Sequence, residues 1–111
     1  MIFNWIYGME MDLGTASKTF SGVQAYSVLE MELTVNPLVI LMRTTAGGVS
    51  DLCAYYRTDP DGSFTLRASD GQGDAYCRLV SCVEGELLLS CSGATAEQPA
   101  NIECIALGVK L

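Results

Sequence analysis

Residues 49–92 read VSDLCAYYRTDPDGSFTLRASDGQGDAYCRLVSCVEGELLLSCS, and their pattern is the strongest indication of the fold. Apolar and polar residues alternate in runs of seven to ten, and each run is closed by Gly, Asp or Pro. The turns are Asp59-Pro60-Asp61-Gly62, residues 70–74 and Glu84-Gly85, and the runs between them are residues 52–58, 63–69, 75–83 and 86–92. Period-two alternation broken by such turns predicts an antiparallel β-meander.

The upstream residues 22–35 continue the same period. Glu30 and Glu32 lie two positions apart, as they would on the exposed side of a strand, so a strand is favoured. Helical spacing also fits the apolar positions of this segment. A helix packed on a five- or six-stranded sheet is therefore the alternative architecture.

The remaining segments complete the predicted fold. Asn36-Pro37 predicts a turn, residues 38–45 a buried strand, Ala46-Gly47-Gly48 a second turn and residues 101–111 the closing strand. The sequence thus predicts one all-β domain over residues 1–111. Its single antiparallel meander of about 7–8 strands would close into a small β-barrel or a strongly curved sheet, which removes exposed strand edges.

Turn chemistry predicts which side chains of the first hairpin face the core. A type I turn over Pro60-Asp61-Gly62 would pair Asp59 with Ser63. The face then expected in the core comprises Leu52, Ala54, Tyr56, Phe64, Leu66 and Ala68. The face expected in water comprises Cys53, Tyr55, Arg57, Thr65, Arg67 and Ser69.

The second hairpin, with a two-residue Glu84-Gly85 turn, is half apolar on both faces. One face is predicted to hold Tyr76, Arg78, Val80, Cys82, Leu87, Leu89 and Cys91. Strands that are apolar on both sides need cover on each side, such as a barrel interior on one and a partner subunit on the other. We therefore expect a homodimer.

Charge and composition exclude several functions. Thirteen acids and six bases give a net charge of −7, and the bases are scattered singly, so neither nucleic acid nor an anionic membrane is an expected partner. Residues 1–10 lack a basic region ahead of their apolar run, so we interpret them as a peripheral strand or a start-site extension rather than an export signal. Five cysteines without a CxxC pair predict free thiols and a cytoplasmic location.

Catalysis and metal binding are not expected either. The chain has no histidine, and the nearest cation to any cysteine, Arg78 beside Cys77, would point to the opposite face of its strand. The paired acids of residues 59–61 and 70–74 lie in turns that favour Asp and Gly, without the continuation of a calcium loop. We predict no enzyme, no metal site and no cofactor.

Several motifs together resemble the second half of small lipocalin-like domains of bacterial proteins. These are Asp59-Pro60 ahead of a strand, residues 70–73, the run from Glu84 to Cys91, and a loop containing Pro99 that leads into the last strand. The resemblance covers residues 20–111 at most. Gln24 stands where such domains carry a tryptophan, and Glu97-Gln98 replaces a basic residue. The resemblance implies a barrel and does not imply a particular ligand.

Arg78 is a cation on the predicted apolar face of the second hairpin, and a cation in such a place needs a partner. This need suggests a function. If that face lines a barrel interior, Arg78 can meet the carboxylate of an apolar ligand, with Tyr76 as a second donor. The predicted wall of this site comprises Tyr56, Phe64, Leu66, Leu87 and Leu89. The prediction is a non-enzymatic module that binds a small apolar or amphipathic molecule. The alternative is an acidic protein-interaction or inhibitor domain with a filled barrel.

Overall fold

The computed structural model describes residues 2–4, 10–70, 77–91 and 93–111. These residues contain nine strands: β1 (Ile2–Asn4), β2 (Glu10–Val23), β3 (Ala25–Glu30), β4 (Val35–Ala46), β5 (Val49–Arg57), β6 (Phe64–Ser69), β7 (Arg78–Val83), β8 (Glu86–Cys91) and β9 (Ala100–Lys110). No helix lies in the described ranges, so the all-β prediction is confirmed and the helical alternative for residues 22–35 is wrong. None of these residues forms a helix of the length and apolarity that crossing a bilayer requires.

The strands form two antiparallel sheets. One has the order β1-β2-β9-β4-β5-β6, and the other has the order β3-β8-β7. The chain passes from the first sheet to the second at Gln24, the single residue between β2 and β3, just after Gly22 adopts a φ of 72°. Within the described residues, a bridge between Ser63, just before β6, and Ser81 of β7 also links the two sheets. Neither sheet closes on itself, so the predicted barrel is not confirmed.

Strand order follows chain order only in part. The meander prediction is right for β4-β5-β6 and for β7-β8, whereas β9 lies between β2 and β4. The turn predicted at Asn36-Pro37 is wrong, because both residues lie inside β4. Pro37 is tolerated there because a register shift follows it and because β4 pairs with β5 only from Val39 onwards, so no partner strand needs its missing N–H. Opposite it, Gly108 leaves room for the Asn36 carbonyl, which a Cβ would strike.

The first hairpin has a different register from the one predicted. Thr58 N donates to Ser63 O at 2.9 Å, so the turn holds four residues, and Gly62 adopts the predicted left-handed φ. This shift by one residue reverses the faces of β5. Tyr55 is fully buried, whereas Tyr56 is 49% exposed. The predicted core face is wrong for Leu52, Ala54 and Tyr56, and also for Ala68 on β6, but it is right for the buried Phe64 and for the half-buried Leu66.

The second hairpin turns at Glu84 and Gly85, which both have positive φ as a two-residue type I′ turn requires. A register shift between Leu79 and Ser81 changes the side-chain phase within β7. Leu79 and Cys82 therefore both face the core, with Leu87, Leu89 and Cys91 of β8. Arg78 is exposed, opposite Ser90, so the prediction that it shares the inner face is wrong.

The core lies between the two sheets. Its fully buried side chains of largest volume are Tyr55, Ile40, Met42, Leu79, Leu87, Leu89 and Ile102. The Tyr55 hydroxyl donates to the Cys77 carbonyl at 3.5 Å and so ties β5 to the residue that precedes β7. Cys77 and Cys91 form a disulfide in this core. The prediction that all five thiols are free is wrong, because Cys77, just before β7, lies opposite Cys91, the last residue of β8.

Candidate functional site

A pocket of about 530 Å³ opens at the end of the molecule where β5 finishes and β4 begins. We call it the Arg57 pocket. It is lined by Met31, Glu32, Leu33, Val35, Asn36, Pro37, Arg57, Cys82, Glu84 and Leu111. Its volume falls within the range of ~300–1,000 Å³ usual for small-molecule sites.

Two backbone hydrogen bonds assemble this pocket. Met31 N donates to Gly85 O at 2.9 Å and joins the segment after β3 to the β7–β8 turn. Leu111 N donates to Thr34 O at 3.1 Å and places the end of the chain beside the start of β4. A Cβ on Gly85 would meet the Met31 carbonyl oxygen at 2.5 Å, so only glycine allows this approach. The pocket is therefore formed by four separate parts of the chain.

The wall of the Arg57 pocket is continuous with the core. Met31, Val35 and Cys82 are buried, Pro37 is buried beside them, and Leu33 packs partly buried against the core. The exposed Glu32, Glu84 and Leu111 lie at its rim. This combination of an apolar wall and a polar rim suits an apolar or amphipathic molecule.

Arg57 is the one cation among the residues that line this pocket. As the last residue of β5 it lies opposite Phe64, and its guanidinium carbon is 6.0 Å from the centre of the Phe64 ring. The Arg57 Nε atom is shielded from solvent and has no hydrogen-bond partner among the described residues. An unsatisfied buried donor costs about 1–3 kcal/mol, and more when it is charged, so an acceptor at this position would be stabilising.

Cys82 offers no thiolate to this pocket. Burial raises the pKa of its thiol, while the backbone at Gly85 and the charge of Arg57 act in the opposite direction with smaller effect. The thiol is therefore protonated at neutral pH, and a protonated thiol is a poor nucleophile. Among the residues that line the pocket, Arg57 is the group that could hold an anion.

The predicted site residues do not come together as one wall. Arg78, Phe64 and Leu66 line a second cleft of about 340 Å³ between β6 and β7, which we call the seam cleft, together with Thr65, Leu79 and Val80. Leu87 and Leu89 are fully buried in the core, and Tyr56 lies on the outer face of β5. Tyr76 lies outside the described residues.

Sequence reasoning missed Arg57 because the predicted register placed it on the water face. The argument applied to Arg78, that a cation on an apolar face needs a partner, applies equally to Arg57 once the phase of β5 is reversed. The adjacent Tyr55 and Tyr56 are the signal that both phases were possible. Comparisons with protein-family models, curated proteins and solved structures give no match to this chain.

Proposed function

We propose that this protein binds a small apolar or amphipathic molecule, without catalysis, in the Arg57 pocket. The observation that carries the proposal is the buried, unpartnered Arg57 Nε in a pocket whose wall is apolar. A ligand with an apolar body and a carboxylate would cover the wall and accept a charge-assisted hydrogen bond from Arg57. Arg57 thus takes the role that the sequence predicted for Arg78.

The proposal includes a lipocalin-like arrangement of the two sheets. The passage of the chain between sheets at Gln24 and the Ser63–Ser81 bridge support an incompletely closed barrel, with the Arg57 pocket as its mouth. Ligands commonly bind in the mouths of β-barrels. The cytoplasmic location stays a prediction, and its premise of five free thiols no longer holds.

A protein partner is the second candidate. Four glutamates, Glu30, Glu32, Glu84 and Glu86, and one cation, Lys18, line a cleft of about 410 Å³ beside the Arg57 pocket. Glu30 lies directly opposite Glu86 in the β3–β8 ladder. Like charges at such close range favour a cationic partner that neutralises them. This acidic cleft supports the inhibitor alternative.

Decanoate and decylamine separate the two candidates, because they share one apolar chain and differ in the sign of the head group. We expect isothermal titration calorimetry to show that decanoate binds the wild type. Arg57→Gln should weaken decanoate by about tenfold to a hundredfold, since hydrogen bonds to charged groups contribute about 1.5–3 kcal/mol.

Arg78→Gln is the matched control, because Arg78 is exposed and lines the seam cleft instead. It should leave decanoate binding unchanged. The assignment of Arg57 to the ligand site is contradicted if decanoate binds Arg57→Gln as tightly as it binds the wild type. It is also contradicted if only Arg78→Gln loses decanoate binding. Decylamine that binds more tightly than decanoate favours the acidic cleft.

A further inference from the structure

The outer face of the six-stranded sheet carries apolar residues where an antiparallel sheet with one solvated side is normally polar. Two rows of directly paired residues cross three neighbouring strands there. In β9–β4–β5 order, one row is Leu107, Val39 and Tyr56, and the other row is Ile105, Leu41 and Ala54. We call these six residues the outer apolar face. Directly opposed residues have Cβ atoms ~4.5–5.5 Å apart, so the six form one continuous surface.

This face is uncovered within the described part of the chain. Tyr56, Ile105, Leu107 and Leu41 are 49%, 43%, 40% and 38% exposed. On the inner side of β9 the residues flanking these positions are the smaller Cys104, Ala106 and Gly108, all buried. Over residues 104–108, β9 thus carries its larger side chains outward, and the exposed residues Thr15 and Ser17 border them. A contiguous apolar patch with a polar border marks a protein–protein contact.

The charges beside this face select the partner. In the next row Arg43 lies directly opposite Glu103, so these two charges balance each other although the whole chain carries −7. A basic partner would be drawn to the acidic end of the molecule instead. A second copy can satisfy both charges, because a two-fold axis can place Arg43 of each copy against Glu103 of the other.

The area is sufficient for a reversible dimer. Five strands, β2, β9, β4, β5 and β6, span ~24 Å at ~4.8 Å each, and three rows at ~7 Å span ~20 Å. The face and its borders therefore cover ~500 Å² per copy, or ~1,000 Å² in total, at the lower limit for a biological interface. We propose that this protein forms a two-fold symmetric dimer by packing the outer apolar faces of two copies against each other.

Light scattering coupled to size exclusion, from about 5 to 500 μM, tests the proposal. The chain mass is 11.9 kDa, and we expect the wild-type mass to rise toward twice that value with concentration. Ile105→Thr/Leu107→Thr should raise the dissociation constant at least tenfold with an unchanged circular dichroism spectrum, because both positions are exposed and threonine suits strands. Val28→Thr is the matched control: Val28 is 56% exposed, but it lies on β3 of the other sheet.

Charge reversal tests the symmetry itself. Arg43→Glu and Glu103→Arg should each be monomeric alone, and an equimolar mixture of the two should form dimers, since each copy then supplies the charge that the other needs. A wild type that stays monomeric at 500 μM overturns the proposal. The proposal is also overturned if Val28→Thr dissociates the dimer while Ile105→Thr/Leu107→Thr does not. It is overturned too if the equimolar mixture of Arg43→Glu and Glu103→Arg stays monomeric.

Discussion

Burial controls the chemistry of two of the cysteines outside the disulfide, Cys82 and Cys104. Burial, and to a lesser extent Cys82, raise the pKa of the Cys104 thiol to about 12, and burial also raises the pKa of Cys82. Both thiols are therefore protonated under ordinary conditions and act as small apolar side chains of the core. Burial leaves the Arg57 Nε without a hydrogen-bond partner among the described residues, and for that reason the proposed function centres on Arg57.

Stability should fall at alkaline pH because of Cys104. In the unfolded chain this thiol loses its proton near pH 9, whereas in the folded protein it keeps the proton up to about pH 12. The stabilisation is fully present below pH 9 and is lost as pH rises toward 12, by about 1.4 kcal/mol per pH unit. Urea unfolding between pH 8 and 11 measures this slope.

Cys104→Ala is the comparison for that slope. The variant should be less stable at pH 8 because it leaves a small cavity, but its free energy of unfolding should fall less steeply above pH 9. Equal slopes in the two proteins would show that other groups cause the alkaline loss.

At the level of elements, short turns and register shifts determine which side chains meet. Gly47 and Gly48 both have positive φ and join β4 to β5 in a two-residue turn, and Glu84 and Gly85 do the same for β7 and β8. The shifts within β6 and β7 then change the side-chain phase in mid-strand. The shift in β7 places Arg78 outside, and it brings Leu79 and Cys82 to the same side.

The Cys77–Cys91 disulfide should stabilise the β7–β8 hairpin. It joins residues 14 apart in sequence, and a loop of this length corresponds to about 3 kcal/mol of stabilisation. Cys77→Ala/Cys91→Ala should lower the free energy of unfolding by about 2–4 kcal/mol in urea titrations. Alkylation of the unfolded, unreduced wild type should label three of its five cysteines.

Reduction supplies the control for that experiment. Dithiothreitol should bring the wild type close to the stability of the double variant and leave the double variant unchanged. Five labelled cysteines without reductant would disprove the disulfide.

For the whole molecule, the two proposed sites use opposite sides of the same sheet. Tyr56 belongs to the outer apolar face, and its neighbour Arg57 lines the pocket, because successive side chains of a strand point to opposite faces. A second copy that covers the outer apolar face leaves the Arg57 pocket open. Ligand binding and dimer formation are therefore expected to be independent.

This independence can be measured. The decanoate affinity of Ile105→Thr/Leu107→Thr should equal that of the wild type at the same protein concentration, because neither residue lines the Arg57 pocket. A change of more than about threefold would show that the two sites are coupled through β5.

The amino-acid pattern alone was enough to predict the all-β class, turns at residues 46–48, 59–62 and 84–85, and an inward-facing position for Leu87 and Leu89. These follow from period-two alternation and from residues that tolerate positive φ, which are local properties. Only the tertiary structure decided that β9 lies between β2 and β4, that Tyr55 rather than Tyr56 is buried, and that Cys77 meets Cys91. The physical reason is that a strand such as β5 is apolar in both phases, so its inward face depends on pairing with distant segments, and a slip of one residue exchanges the two sides.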